Sequence, residues 1–149
     1  MMPFPLHPSE SDAARDMHAL EDQVKVELPL GDVIDKISIL CIKQTQISEP
    51  TRLTNVMREL QALRDAWACT PHPATEALPQ WDELHTVNQA LWRIEDEIRV
   101  HEAAGRFDDA FVELARSVYQ LNDRRAELKR EINLSLGSRL VEEKSYSAT

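Results

Sequence analysis

Apolar residues recur at three- and four-residue spacing through four stretches of this chain, the period of a helix with one buried face. The first stretch, about residues 32–47, carries Val33, Ile34, Ile37, Leu40, Cys41 and Ile47, with Asp35, Lys36, Lys43 and Gln46 on its other faces. The second, about 50–69, carries Leu53, Val56, Met57, Leu60, Leu63 and Trp67. The third, about 80–104, places Trp81, Leu84, Val87, Leu91, Ile94 and Ile98 on one stripe, and the fourth, about 108–136, does the same with Phe111, Leu114, Val118, Leu121, Leu128 and Ile132. The pattern predicts an all-α fold, an antiparallel bundle of four main helices with a flexible N-terminal arm and a short C-terminal tail.

The punctuation agrees with this reading. Gly31, Gly105 and Gly137 are the only glycines, and each falls where a helix would begin or end. All eight prolines lie outside the predicted helix interiors, where one would cost about 3 kcal/mol. Asp32 and Asp108 are suited to cap the first and fourth helices, Pro50 suits the first turn of the second, and Phe107 is expected to staple onto Val112.

Residues 1–27 are expected to be a flexible arm and an extended lead-in, since the first 22 lack apolar periodicity beyond a loose turn or two at Ala13–Leu20. Val24, Val26 and Leu28 alternate with polar neighbours, which suits an extended segment lying against the bundle. Residues 28–146 then form a single helical-bundle domain, 147–149 a tail, and the proline-rich stretch Cys69–Pro79 a connector.

Composition narrows the functional classes. Acids outnumber bases 26 to 17 for a formal charge of −9, which argues against a phosphate-backbone binder. The basic run Arg124–Arg130 does not reverse that expectation, because Asp123, Glu127 and Glu131 interleave it and suit charge pairs along one helix. No apolar run has the length of a secretory core or a membrane span, and Cys41 and Cys69 show the usage of a reducing compartment. The expectation is a cytoplasmic protein with no nucleic-acid partner, no membrane insertion, no cofactor and no metal site. Cys69 and His72 alone fall short of a structural zinc set.

Candidate chemistry lies on the polar borders of the stripes. On the third helix His85, Asn88, Trp92, Glu95, Arg99 and Glu102 line up beside the apolar face. Tyr119, Asn122, Arg125, Lys129 and Asn133 do so on the fourth, and Asp35, Lys36 and Lys43 on the first. If these borders converge, Arg99, Asn122, Arg125 and Lys129 form an anion site, with Asp35, Lys36, Glu95 and Tyr119 in support and Glu95 positioning an arginine or acting as acid or base. Leu140, Val141 and Tyr146 would anchor the tail back across the bundle, and Glu142, Glu143, Lys144 and Tyr146 would form a lid over that face. The bland alternative is a set of solvated faces and surface ion pairs, each worth about 1 kcal/mol at most.

Four segments, GDVIDKISILCIK (31–43), LWRIEDEIR (91–99), FVELARSVYQLNDRRAELKREIN (111–133) and GSRLVEEKSY (137–146), resemble an uncharacterised bacterial family, a domain of unknown function. The likeness runs from about Leu28 to Tyr146. It implies that the tail and the segment Asn122–Ala126 belong to one recurrent unit, and it suggests an association with glycosyltransferase and surface-polysaccharide loci. A weaker similarity joins Ile34-Asp35-Lys36-Ile37 and Lys43 to the helical chorismate mutases. Pro50 breaks the long first helix of that family, and the arginine near its start is missing here.

Two functional readings stand. The preferred one is a non-catalytic binding or accessory domain docking a protein partner or an anionic metabolite in cell-envelope polysaccharide assembly, because no phosphate loop, nucleophile elbow or paired-His motif is present. The alternative is a small helical enzyme acting on a phosphorylated or carboxylated, nucleotide-sugar-like substrate, with Arg99, Arg125 and Lys129 holding the anion and Glu95 as acid or base. A homodimer is also expected, with Trp67 or Trp92 marking either its interface or the edge of the core.

Overall fold

The computed structural model describes residues 22–146. The arm expected over residues 1–21, including Ala13–Leu20, and residues 147–149 lie outside them. Four helices follow the predicted stripes: α1 Leu30–Gln46, α2 Pro50–Ala68, α3 Trp81–Ala103 and α4 Asp109–Leu136. No helix among the described residues is long and apolar enough to cross a membrane.

The helix ends show which local rules hold. Pro50 opens α2, and Glu49 caps it by accepting the N–H groups of Thr51 at 3.0 Å and Arg52 at 2.8 Å. Asp108 caps α4 through the Phe111 N–H at 3.1 Å. Phe107 meets Phe111 edge to face at 5.2 Å, one residue before the expected staple partner, while Val112 is exposed. Gly105 and Gly137 end α3 and α4 with φ of 63° and 68°, a left-handed backbone that an L side chain resists. At Gly105 the Arg106 N–H closes back on the His101 carbonyl at 2.9 Å.

α1 departs from expectation. It begins at Leu30, not at an Asp32 cap, and no side chain from its own flank caps it. Its orphan amides are satisfied from the far end of the domain: Leu30 N–H donates to Ser138 Oγ at 3.0 Å and Gly31 N–H to Asn133 Oδ1 at 2.7 Å. A cap contributed by α4 and the turn after it leaves Asp32 free for another partner.

α1 is the centre of the fold and packs on the three other helices, whereas α2 packs chiefly on α1. α3 and α4 form an antiparallel hairpin, tied near its turn by His101 and Asp108 (3.7 Å) and at its other end by Glu83 and Arg124 (2.6 Å). The core joins Ile34, Ile37 and Leu40 to Val56, Leu60 and Trp67 on one side and to Leu84, Val87, Leu91, Leu128 and Ile132 on the other. The connector belongs to this core, since Leu78 and Thr75 are buried and the Trp67 Nε1–H donates to the Pro73 carbonyl at 2.9 Å. Trp67 is thus a core residue and not the mark of an interface.

Helix lengths explain what stays uncovered. At ~1.5 Å per residue, the 17 residues of α1 span roughly 25 Å and the 28 of α4 roughly 42 Å. Leu128 and Ile132 are buried where α1 lies beside α4, while Phe111, Leu114 and Val118 are only half-buried against α3. In the lead-in, Val24 and Val26 are 88% and 70% exposed, so the expected apolar contact with the bundle is not made there. Glu27 instead reaches the tail by an ion pair with Arg139.

Candidate functional site

The polar centre grows from one residue of α1. Asp35 is 3% exposed. A carboxylate so placed needs both a charge partner and hydrogen bonds, because desolvation otherwise costs several kcal/mol. Arg125 of α4 supplies a fork, Nε to Oδ1 at 2.9 Å and Nη2 to Oδ2 at 2.5 Å, and Asn88 of α3 donates to Oδ1 at 3.0 Å. The chain of bonds continues from Asn88 to Ser38 Oγ at 3.2 Å and from Ser38 to His85 Nδ1 at 3.0 Å, where the imidazole stacks on Trp81. Asp35 thereby ties α1, α3 and α4 together, and its hydrogen bonds hold the Arg125 guanidinium further toward its charged form.

A cleft of about 400 Å³ opens beside this centre. Ile39 and Ile42 of α1, Asn88, Leu91, Trp92, Glu95, Asp96 and Arg99 of α3, and Asn122 and Arg125 of α4 line it. One half is apolar with an indole wall, and the other presents amides, carboxylates and guanidinium groups, the mixed lining usual for small-molecule sites. Arg125 is committed to Asp35. Arg99 is not: its side chain is 73% exposed and its closest acid, Asp96, is 4.0 Å away.

On the other flank of Asn122 and Arg125 lies a smaller cup of about 160 Å³, completed by Ala126, Lys129, Lys144 and Tyr146. Lys129 Nζ is 2.7 Å from Asp32 Oδ1, aligned too poorly to hydrogen-bond that oxygen, and 3.1 Å from Glu142 Oε2. Burial pulls the Lys129 pKa down, but these two acids outweigh it and hold the ammonium charged. The tail is fastened to α4 by Glu142 on Lys129 and by Glu143 on Arg130 at 3.0 Å, and within the tail Glu142 also pairs with Lys144 at 2.6 Å.

Hydrogen bonds from Lys144 and Lys129 hold the Glu142 carboxyl below its ordinary 4.5. A depressed carboxylate contributes stability that is complete above the unfolded value and is lost as pH falls through the folded one. The tail should therefore stay docked at neutral pH and loosen only as the pH falls below the carboxyl's ordinary 4.5. Amide hydrogen exchange over Leu140–Lys144 reads this, and release already between about pH 7 and 6 would assign the latch to a different group.

The structure thus brings Glu95, Arg99, Asn122 and Arg125 into one cleft and puts Lys129 with Lys144 and Tyr146 in the adjoining cup. Glu142 and Glu143 line the tail side of the same helix face. Lys36 points to α2, where it pairs with Glu59 at 3.7 Å, and Tyr119 is exposed outside the lining of either cavity. Asp35, expected as a border residue in support, is the buried hub, and it rather than Glu95 holds Arg125. Spacing does not single out Ser38 or Ser138, and it marks Asp32 only as a helix cap, whereas Asp32 stands beside Lys129. Among the described residues no group of three or more His, Cys, Asp or Glu side chains stands close enough to hold a metal ion.

Arg124 shows why the basic run is not a cationic patch. It bonds Glu127 at 2.9 Å within its own helix, Glu131 lies 3.5 Å away, and Glu83 takes its remaining face. The expected pairing at helical spacing is present, joined by a contact across the hairpin.

No curated protein and no solved structure matches this sequence. One family model does, over residues 24–149, which takes in the four helices, the lead-in from Val24 and the tail. The chain belongs to the Family of unknown function (DUF6165).

Proposed function

We propose that this domain binds a small anionic metabolite in the cleft between α1, α3 and α4, without transforming it. The observation that carries this reading is the convergence of Glu95, Arg99, Asn122 and Arg125 on one concave surface walled by Trp92. Surface ion pairs scattered over a convex bundle would not do this. Arg99 is the anion-seeking group, since among the described residues its one ion pair is the loose 4.0 Å contact with Asp96, whereas Arg125 is locked to Asp35. The amides of Asn88 and Asn122 and the indole of Trp92 suit a hydroxylated or ring-bearing body. The setting we propose, from the resemblance in sequence, is an accessory role in cell-envelope polysaccharide assembly, with a protein partner receiving the loaded domain.

An enzyme reading draws on one observation, that Glu95 lines the same cleft half-buried. A thermal-shift series of dicarboxylates, sugar phosphates and nucleotide sugars separates the two. A true ligand at 100 times its Kd stabilises by about 2.7 kcal/mol. Arg99→Ala should leave the ligand-free melting temperature unchanged, because the side chain is exposed, and should weaken binding about tenfold or more. Ligand recovered unaltered after overnight incubation supports binding, and product formation supports the enzyme. An affinity indifferent to Arg99→Ala would sink the proposal.

A further inference from the structure

Resting on the cleft reading, we infer that the ligand carries, besides the anionic group held by Arg99, a phosphoryl group seated in the cup of Arg125, Lys129, Lys144, Asn122 and Tyr146. The C-terminal tail is then a wall of the binding site as well as a latch. Three cations line this cup, and among the described residues no carboxylate does. Each cation is paired with an acid outside that lining: Asp35 with Arg125, Asp32 and Glu142 with Lys129, and Glu142 also with Lys144. Acids so placed fix the cations without lining the cup themselves.

The donor set selects the chemistry. After its bonds to Asp35 and to Asn122 Oδ1, Arg125 keeps spare N–H groups on Nη1 and Nη2, and Lys144 and the Tyr146 hydroxyl add more from another direction. A planar carboxylate is satisfied by one guanidinium fork, whereas a tetrahedral dianion with three acceptor oxygens uses donors converging from several sides. The volume, about 160 Å³, admits that group but not a whole metabolite. The body continues into the larger cleft, which shares Asn122 and Arg125 with the cup. The ligand class is therefore a phosphomonoester whose apolar or ring body lies toward Trp92 and Leu91.

Calorimetric titration of the full chain with inorganic phosphate, phenyl phosphate and benzoate tests this. Phenyl phosphate should bind about tenfold more tightly than either of the others, since only it fills both cavities. Lys144→Ala should weaken phenyl phosphate about tenfold and Tyr146→Phe several-fold, with benzoate unaffected by either. Both side chains are exposed, so neither change threatens the fold. If Arg99→Ala abolishes binding of phenyl phosphate and benzoate while Lys144→Ala changes nothing, the cup is refuted and the cleft survives. If inorganic phosphate binds as well as phenyl phosphate, the ligand body has no place in the cleft and the inference fails. If none of the three probes binds, the inference and the reading beneath it fall together.

Discussion

Arg125→Met should lower the unfolding free energy by about 3–5 kcal/mol, the cost of leaving a buried carboxylate without its counter-charge. The methionine retains most of the packing volume, so the loss is assignable to Asp35, which sits at 3% exposure with Asn88 as its remaining donor. Urea denaturation of Arg125→Met, Asp35→Asn and the double variant isolates the coupling. The double variant should recover half or more of the loss, because a buried ion pair exchanged for neutral groups is often close to neutral in stability. A single variant within about 1 kcal/mol of the parent would show that water reaches Asp35 and that it is not the hub described. The same reasoning makes Arg125 a poor probe of ligand binding: its removal disturbs the fold and the site at once, which Arg99 and Lys144 do not.

Gly31→Ala should cost about 3 kcal/mol and lower the melting temperature by roughly 10 °C. A Cβ at this position would lie 2.3 Å from the Lys129 carbonyl oxygen and 2.9 Å from its carbon. These are backbone atoms of α4 and cannot turn aside as a flexible side chain can. The start of α1 would have to retreat, stretching the bonds from Leu30 to Ser138 and from Gly31 to Asn133 and pulling Asp32 from Lys129. Alanine is the better helix former by about 1 kcal/mol, so the two effects oppose and the measurement decides by sign. A stabilised variant in a thermal melt would show that the helices have room to separate.

The helices were legible because their apolar residues repeat at the helical period and the chain reserves glycine and proline for their ends. Spacing also placed Glu95 and Arg99 on one face of α3, and Asn122 and Arg125 on one face of α4. The depth of each residue was not legible. Asp35 and Lys36 are adjacent charged residues on the edge of one stripe, yet the first is buried toward α3 and α4 and the second faces Glu59 on α2. A turn of about 100° per residue separates them, and which side meets which helix depends on packing across 90 residues of chain. In the sequence Gly31 marks no more than a helix boundary, for a similar reason. Its real constraint, the Lys129 backbone, lies across the fold and leaves no local mark beyond the absence of a side chain. Asp32 looked like a cap because local rules assign one there; Asn133 and Ser138 satisfy those amides from a distance.

The distant cap on α1 also bears on how the chain acquires its structure during synthesis. α1 emerges first among the helices, but Arg125 follows Asp35 by 90 residues and Asn133 follows Gly31 by 102. At translation rates of about 5–20 residues per second, α1 waits roughly 5–20 s before its carboxylate and its first amides can meet their native partners. Over that interval α1 and α2 can bury apolar surface together, while the Asp35 side of α1 must stay wet. A charged, hydrated seam held open until α4 arrives disfavours premature collapse on that side and makes α4 the closing piece of a domain that begins with α1.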